Sequence, residues 1–223
     1  MWSISEVKER GKEAFKRNYW NSVIVAFLLG LLTSGATASA SSQTDSEGLQ
    51  TQLLLMDPAV LTVLIGTLSI VMIVSVLLKI FLFNPLKVGG YRFFKKNVEE
   101  DGATLGVISE GFNGYGHIFI TLFLRDLFLA LWTMLLIIPG IIKGYSYRMV
   151  PYILKDNPEL SATEVITKSR EMMDGNKWRA FVFDLSFIGW FILSIIPLVG
   201  WLWTNPYYEN ANAALYLELS KNQ

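Results

Sequence analysis

Six ionisable residues interrupt stretches of sequence that are otherwise apolar: Lys79, Arg125, Asp126, Arg148, Asp184 and Glu209, three of each sign. Charges at membrane depth are costly and usually face the interior of a helix bundle, where they pair or take part in function. Arg125, Asp126, Arg148, Asp184 and Glu209 therefore form a candidate intramembrane polar cluster with two chemistries open to it. Its arginines could receive an anionic headgroup, and a carboxylate could carry protons. Alternatively the charges neutralise one another as bridges between helices, with Lys79 and Asp184 reaching the interface; the balance of signs favours this second reading. Arg125 and Asp126 are neighbours and point about a quarter turn apart on a helix. Pairing across helices is therefore expected, Arg125 with Asp184 and Arg148 with Glu209 or Asp126.

Other chemistry finds little footing. The chain has no cysteine and one histidine, His117. It has no paired histidines for a metal, no G-x-S-x-G and no glycine-rich phosphate loop with lysine. "GFNGYG" at 111–116 lacks a strand-turn-helix setting and reads as a loop. No cofactor and no enzymatic activity are expected. The formal net charge is zero, so there is no overall basic field to attract nucleic acid.

The elements that would position these charges are membrane helices. The 223 residues are 52% hydrophobic and 17% charged, with a mean hydropathy of +0.39, whereas soluble domains carry about a quarter charged residues. A span needs about 20 apolar residues. Six spans are expected, at about 20–40, 59–83, 118–138, 140–156, 179–197 and 201–219. A four-span arrangement treats the fourth and sixth, which carry Lys143, Arg148 and Glu209, as interfacial. "IIPGII" at 137–142 and "IIPLVG" at 195–200 supply tight turns. Basic residues collect in segments 3–20, 84–117 and 155–179, while the loop 41–58 has none. The positive-inside rule then puts those segments and both termini in the cytoplasm of a multi-pass protein. The first apolar run followed by "ASA" at 38–40 also has the form of a signal peptide.

The chain repeats itself. "SISEVKERGKEAFKRNYW" (3–20) and "SATEVITKSREMMDGNKW" (161–178) align without a gap, sharing Ser3/Ser161, Glu6/Glu164, Val7/Val165, Glu13/Glu171, Asn18/Asn176 and Trp20/Trp178. Each opens with a serine and a glutamate spaced for a capping box, continues as an amphipathic helix suited to the lipid interface, and closes on a tryptophan anchor. Residues 104–117 form a weaker third copy, giving pseudo-repeats 3–100, 104–157 and 161–223 within one domain, 1–223. The basic face of the second copy comprises Lys168, Arg170, Lys177 and Arg179, placed for anionic headgroups. Asn84-Pro85, Asn205-Pro206 and Pro151 mark expected helix breaks or restarts.

Between residues 135 and 190, "IPGII", "PYIL", "NPELSA", "KSREMMDGNKW" and "DLSFIGW", with "NPYYENANAALY" near the end, resemble a bacterial integral-membrane family known as domain of unknown function 975. More distantly the segment is similar to the membrane domain of some glycerophosphodiester phosphodiesterases. The resemblance implies an all-α polytopic protein of the bacterial cell membrane with no catalytic residues to transfer. The expected role is non-enzymatic, organising lipids or partner proteins at the cytoplasmic face. The alternative is a small transporter or exporter with a polar cavity, acting as a homodimer.

Overall fold

The computed structural model describes residues 2–34, 56–100, 102–194 and 199–221, and all the regular secondary structure within them is helical. The "ASA" site, most of the loop 41–58 and Pro197 with most of its turn lie outside those residues. Eleven α-helices are named here: α1 (Ile4–Arg17), α2 (Tyr19–Ser34), α3 (Pro58–Leu78), α4 (Asn84–Glu99), α5 (Tyr115–Leu135), α6 (Ile137–Ser146), α7 (Val150–Asp156), α8 (Ala162–Met172), α9 (Lys177–Leu185), α10 (Ile188–Leu193) and α11 (Asn205–Ser220). Two π-helical turns, Lys79–Phe83 and Gly200–Thr204, and one 3₁₀ helix, Leu105–Phe112, complete the set.

Two of these runs are long and apolar enough to cross a membrane: Pro58–Glu99, in which α3 continues through a π-turn into α4, and Tyr115–Leu135. Tyr19–Leu32 is apolar but shorter. No residue of α3 is buried. In water such a surface would be strongly unfavourable, because apolar area costs about 25 cal/mol per Å² when left exposed. The segment expected as the fourth span is broken at residues 147–149 into α6 and α7. The segment expected as the sixth contains the most enclosed helix: α11 buries Pro206, Tyr207, Asn210 through Leu217, and Leu219. Asn210 and Asn212 therefore face protein.

Val150-Pro151 restarts a helix as expected, whereas the helix runs on unbroken through both Asn-Pro sites; proline lies in the first turn of the α-helical stretch each time. At the Asn-Pro sites the helix widens first. The amide of Asn84 bonds to the carbonyl of Lys79, and that of Asn205 to Gly200, both five residues back. Proline has no N–H to give and its ring collides with the carbonyl four residues earlier. A π-turn directly before it makes room without ending the helix.

The two aligned segments behave alike in part. Val7 and Val165 are buried, as are Gly11 and Ser169, whereas Trp20 and Trp178 are 70% and 73% exposed. The capping box forms only at Ser161, where the hydroxyl accepts from the amide of Glu164 and the Glu164 carboxylate accepts from Ser161 N–H. Ser3 occupies the N-cap position but its side chain accepts nothing there. The start of α1 is held instead by buried Trp2, whose indole N–H donates to Asn176 at 2.9 Å. Residues 105–112 are a 3₁₀ helix, not an amphipathic α-helix like the other two. The "IIPGII" stretch also departs from expectation. The chain reverses one residue earlier, at Leu136 (φ −157°, ψ 139°), and Pro139 and Gly140 lie in the first turn of α6. Gly140 serves close packing, since a Cβ there would meet Thr133 Oγ1 at 2.6 Å.

A buried amide cluster ties the bundle together. Asn97 donates to the Ala14 carbonyl at 3.1 Å and to Asn210 Oδ1 at 2.7 Å, and accepts from Asn18 at 2.7 Å. Asn210 in turn donates to Ser22 Oγ and to the Pro206 carbonyl. One network thus joins α1, α2, α4 and α11, and buried amides left without such partners would each cost roughly 1–3 kcal/mol.

Candidate functional site

The break between α6 and α7 puts Arg148 in a turn, free to reach across the bundle. Its guanidinium meets Asp184, in the last turn of α9, through two hydrogen bonds of 2.9 and 2.8 Å. Tyr145 and Tyr208 donate to the same carboxylate at 2.8 and 2.9 Å. Arg148 also donates to Tyr208 Oη and to Asn212 Oδ1, residues spaced i, i+4 on one face of α11. Phe183 and Tyr145 stack against the guanidinium, 5.6 and 5.9 Å from their ring centres. Both charged side chains are largely enclosed and their polar atoms well matched, the arrangement in which a buried ion pair survives.

The cross-helix pairing is therefore present but between different partners from those expected. Asp184 takes Arg148, not Arg125. Arg125 folds back on Asp126, with Nε and Nη2 at 2.9 and 2.7 Å from one carboxylate oxygen; a long guanidinium spans the quarter turn that separates the two residues, and half-exposed Asp126 lets it do so at the bundle's flank. Lys79 is exposed, outside the cluster. Glu209 makes no ion pair among the described residues, and its Oε2 is buried without a hydrogen-bond partner, as are the hydroxyls of Tyr152 and Thr121 and Nε2 of His117. Arg148 and Lys87 are the positive charges that act on Glu209.

The second-copy basic residues separate. Lys168 is occupied by Asn157 at 2.9 Å, and the Arg179 guanidinium lies 5.3 Å over the Trp2 ring. Arg170 and Lys177 instead converge with Lys143, which the repeat alignment could not select because it lies outside both copies. Much of the remaining basic charge is also consumed internally. Asp156 accepts from Arg92 at 2.6 Å, Lys95 at 3.0 Å and Tyr216 at 2.6 Å. Glu110 accepts from Lys96 at 2.8 Å and Arg92 at 3.3 Å. The Lys96 hydrogen bond holds the Glu110 carboxyl below the usual carboxylate range. Lys8 donates to Ser186 and lies 4.4 Å over the Phe187 ring, and burial there lowers its ammonium from the ordinary lysine value. Basic residues that look solvated in sequence thus act largely as ties between helices.

No curated protein and no solved structure matches the chain. The family comparison does find a match: residues 120–223, which include Arg148, Asp184, Glu209 and the basic helix α8, are similar to the family described as Protein of unknown function (DUF975).

Proposed function

We propose that this is a multi-pass protein of a bacterial membrane, with both termini cytoplasmic, that engages anionic lipids at the cytoplasmic face without catalysing a reaction. The observation that carries this reading is the border between apolar surface and basic side chains. Helix α6 exposes Ile137, Ile138 and Ile141 and carries Lys143 in its last turn. Beside it α9 begins with Lys177 and the exposed indole of Trp178. Indole rings and lysines with apolar stems favour such a border between hydrocarbon and headgroups. The six expected spans fit if α6–α7, α9–α10 and the helix ending in α11 are the shorter, more enclosed crossings.

Lipids retained through detergent extraction test the reading. Phosphatidylglycerol should be enriched over phosphatidylcholine relative to the starting membrane, by mass spectrometry of the purified protein. Combined glutamine substitution of Lys168, Arg170, Lys177 and Arg179 should return the ratio to that of the membrane. No enrichment in the unaltered protein would remove the basis for the proposal.

A small transporter is the second reading, favoured by the unpartnered, buried Oε2 of Glu209. Intramembrane carboxylates of this kind serve as proton or ion relays. Glu209→Gln should then abolish solute flux in reconstituted vesicles while thermal unfolding is unchanged. A panel of solutes showing no flux in the unaltered protein would rule against it.

A further inference from the structure

Two depressions meet at Lys177. One is a polar cleft of about 240 Å³ whose lining includes Lys143, Arg170, Lys177, Ser146 and Thr167. The other is a groove of about 250 Å³ with wholly apolar walls, formed by Ile141, Ile142, Tyr145, Trp178, Phe181 and the stem of Lys177. Their adjacency follows from local structure. On α6, residues 141, 142 and 145 face the groove and 143 and 146 the cleft. The turn "DGNK" reverses the chain between α8 and α9, using a left-handed Gly175 (φ +69°) that a side chain would strain, and so brings Arg170 alongside Lys177.

The cleft also holds Glu171 and Asp174, so its lining carries three positive and two negative charges. The acids leave two cations unclaimed. Asp174 lies 3.6 Å from Lys177 and is itself 84% exposed, a separation at which such a pair contributes little. Among the described residues, neither Lys143 nor Arg170 has a carboxylate within 4.0 Å. Lys143 is held instead 4.7 Å over the Trp132 ring, which fixes its position without neutralising its charge.

Resting on the lipid reading above, we propose that cleft and groove together form a site for one anionic glycerophospholipid. Its phosphate is held by Lys143, Arg170 and Lys177, and part of an acyl chain lies against Ile141, Trp178 and Phe181. A free anion would use the cleft and leave the groove empty. A zwitterionic lipid would use the groove and bring a second cation to an already positive cleft. Only an anionic amphiphile satisfies both.

Quenching of Trp178 by lipids brominated in the acyl chain tests the site, using the full chain in phosphatidylcholine nanodiscs. The Trp178 signal is the difference between the unaltered protein and Trp178→Phe. Brominated phosphatidylglycerol, added as a minor component, should quench Trp178 more than brominated phosphatidylcholine at the same fraction. Lys143→Gln with Arg170→Gln should abolish the excess, whereas Lys12→Gln with Lys16→Gln should leave it intact. Inorganic phosphate in solution should not reduce it. Equal quenching by the two lipids, survival of the excess in the Lys143/Arg170 variant, or its loss to inorganic phosphate would each overturn the site. If phosphatidylglycerol is still retained through extraction while Trp178 shows no excess, this site fails and the broader reading stands; if retention is absent too, both fail.

Discussion

Asp184→Ala should destabilise the protein by about 3–5 kcal/mol, the cost of breaking a buried ion pair from one side, and lower its thermal midpoint by roughly 10 °C. The carboxylate accepts two hydrogen bonds from Arg148 and one each from Tyr145 and Tyr208. Its removal leaves a guanidinium only 16% exposed, with Asn212 and the Tyr208 oxygen as its remaining acceptors. Arg148→Met should cost less, because Asp184 keeps both tyrosine donors. Arg148→Met with Asp184→Leu should be milder than Asp184→Ala, since it removes both charges and fills the space with apolar groups. Tryptophan fluorescence during thermal unfolding in detergent gives the ranking. An Asp184→Ala protein as stable as the unaltered one would show that the cluster does not hold the helices together. If the double variant folds and retains phosphatidylglycerol as before, the pair is structural; if it folds but loses the lipid, Arg148 and Asp184 belong to the function.

That a cross-helix pair exists was legible in the sequence; which residues form it was not. Counting charges in apolar stretches predicts neutralisation, but pairing depends on distances that linear position does not encode. The break before Pro151 swings Arg148 towards α9 and α11, and no periodicity places those helices beside it. Local signals read through more directly. Ser161 and Glu164 form their capping box because both members lie within one turn. The Asn-Pro sites mark a local change of helix geometry, a π-turn in place of the expected break, because proline's constraint acts on the residues next to it. Where the same local signal fails, at Ser3, a distant contact from Trp2 to Asn176 secures the helix start. The buried amide cluster around Asn97 gave no warning, because an asparagine between basic residues and glutamates resembles any other exposed polar position.

Gly111 was among the least legible positions, since "GFNGYG" at 111–116 reads as a loop, yet it supports the next prediction. A Cβ on Gly111 would lie 2.0 Å from the Pro85 carbonyl oxygen and 2.7 Å from the Gly89 amide nitrogen; one on Gly89 would lie 2.0 Å from the Ile108 carbonyl oxygen. The 3₁₀ helix and α4 therefore meet backbone to backbone, and no flexible side chain can move aside. Gly111→Ala should cost about 3 kcal/mol, the upper part of the range for overpacked sites. It should also lift the segment from α4, separating Glu110 from Lys96 and Arg92. Gly106→Ala provides the control, since its added Cβ would meet only Thr104 Oγ1 at 3.7 Å, an ordinary contact. The chain has no cysteine, so Val107→Cys, at a buried position of the 3₁₀ helix, can report the local opening: maleimide labelling should accelerate in the Gly111→Ala background and stay unchanged in the Gly106→Ala background. Equal rates in all backgrounds would mean that α4 and the 3₁₀ helix can separate enough to admit a methyl group. This contact packs the connection between the two runs long enough to cross a membrane, Pro58–Glu99 and Tyr115–Leu135, against the end of the first. Loss of close packing there should therefore also loosen the placement of one long apolar helix relative to the other.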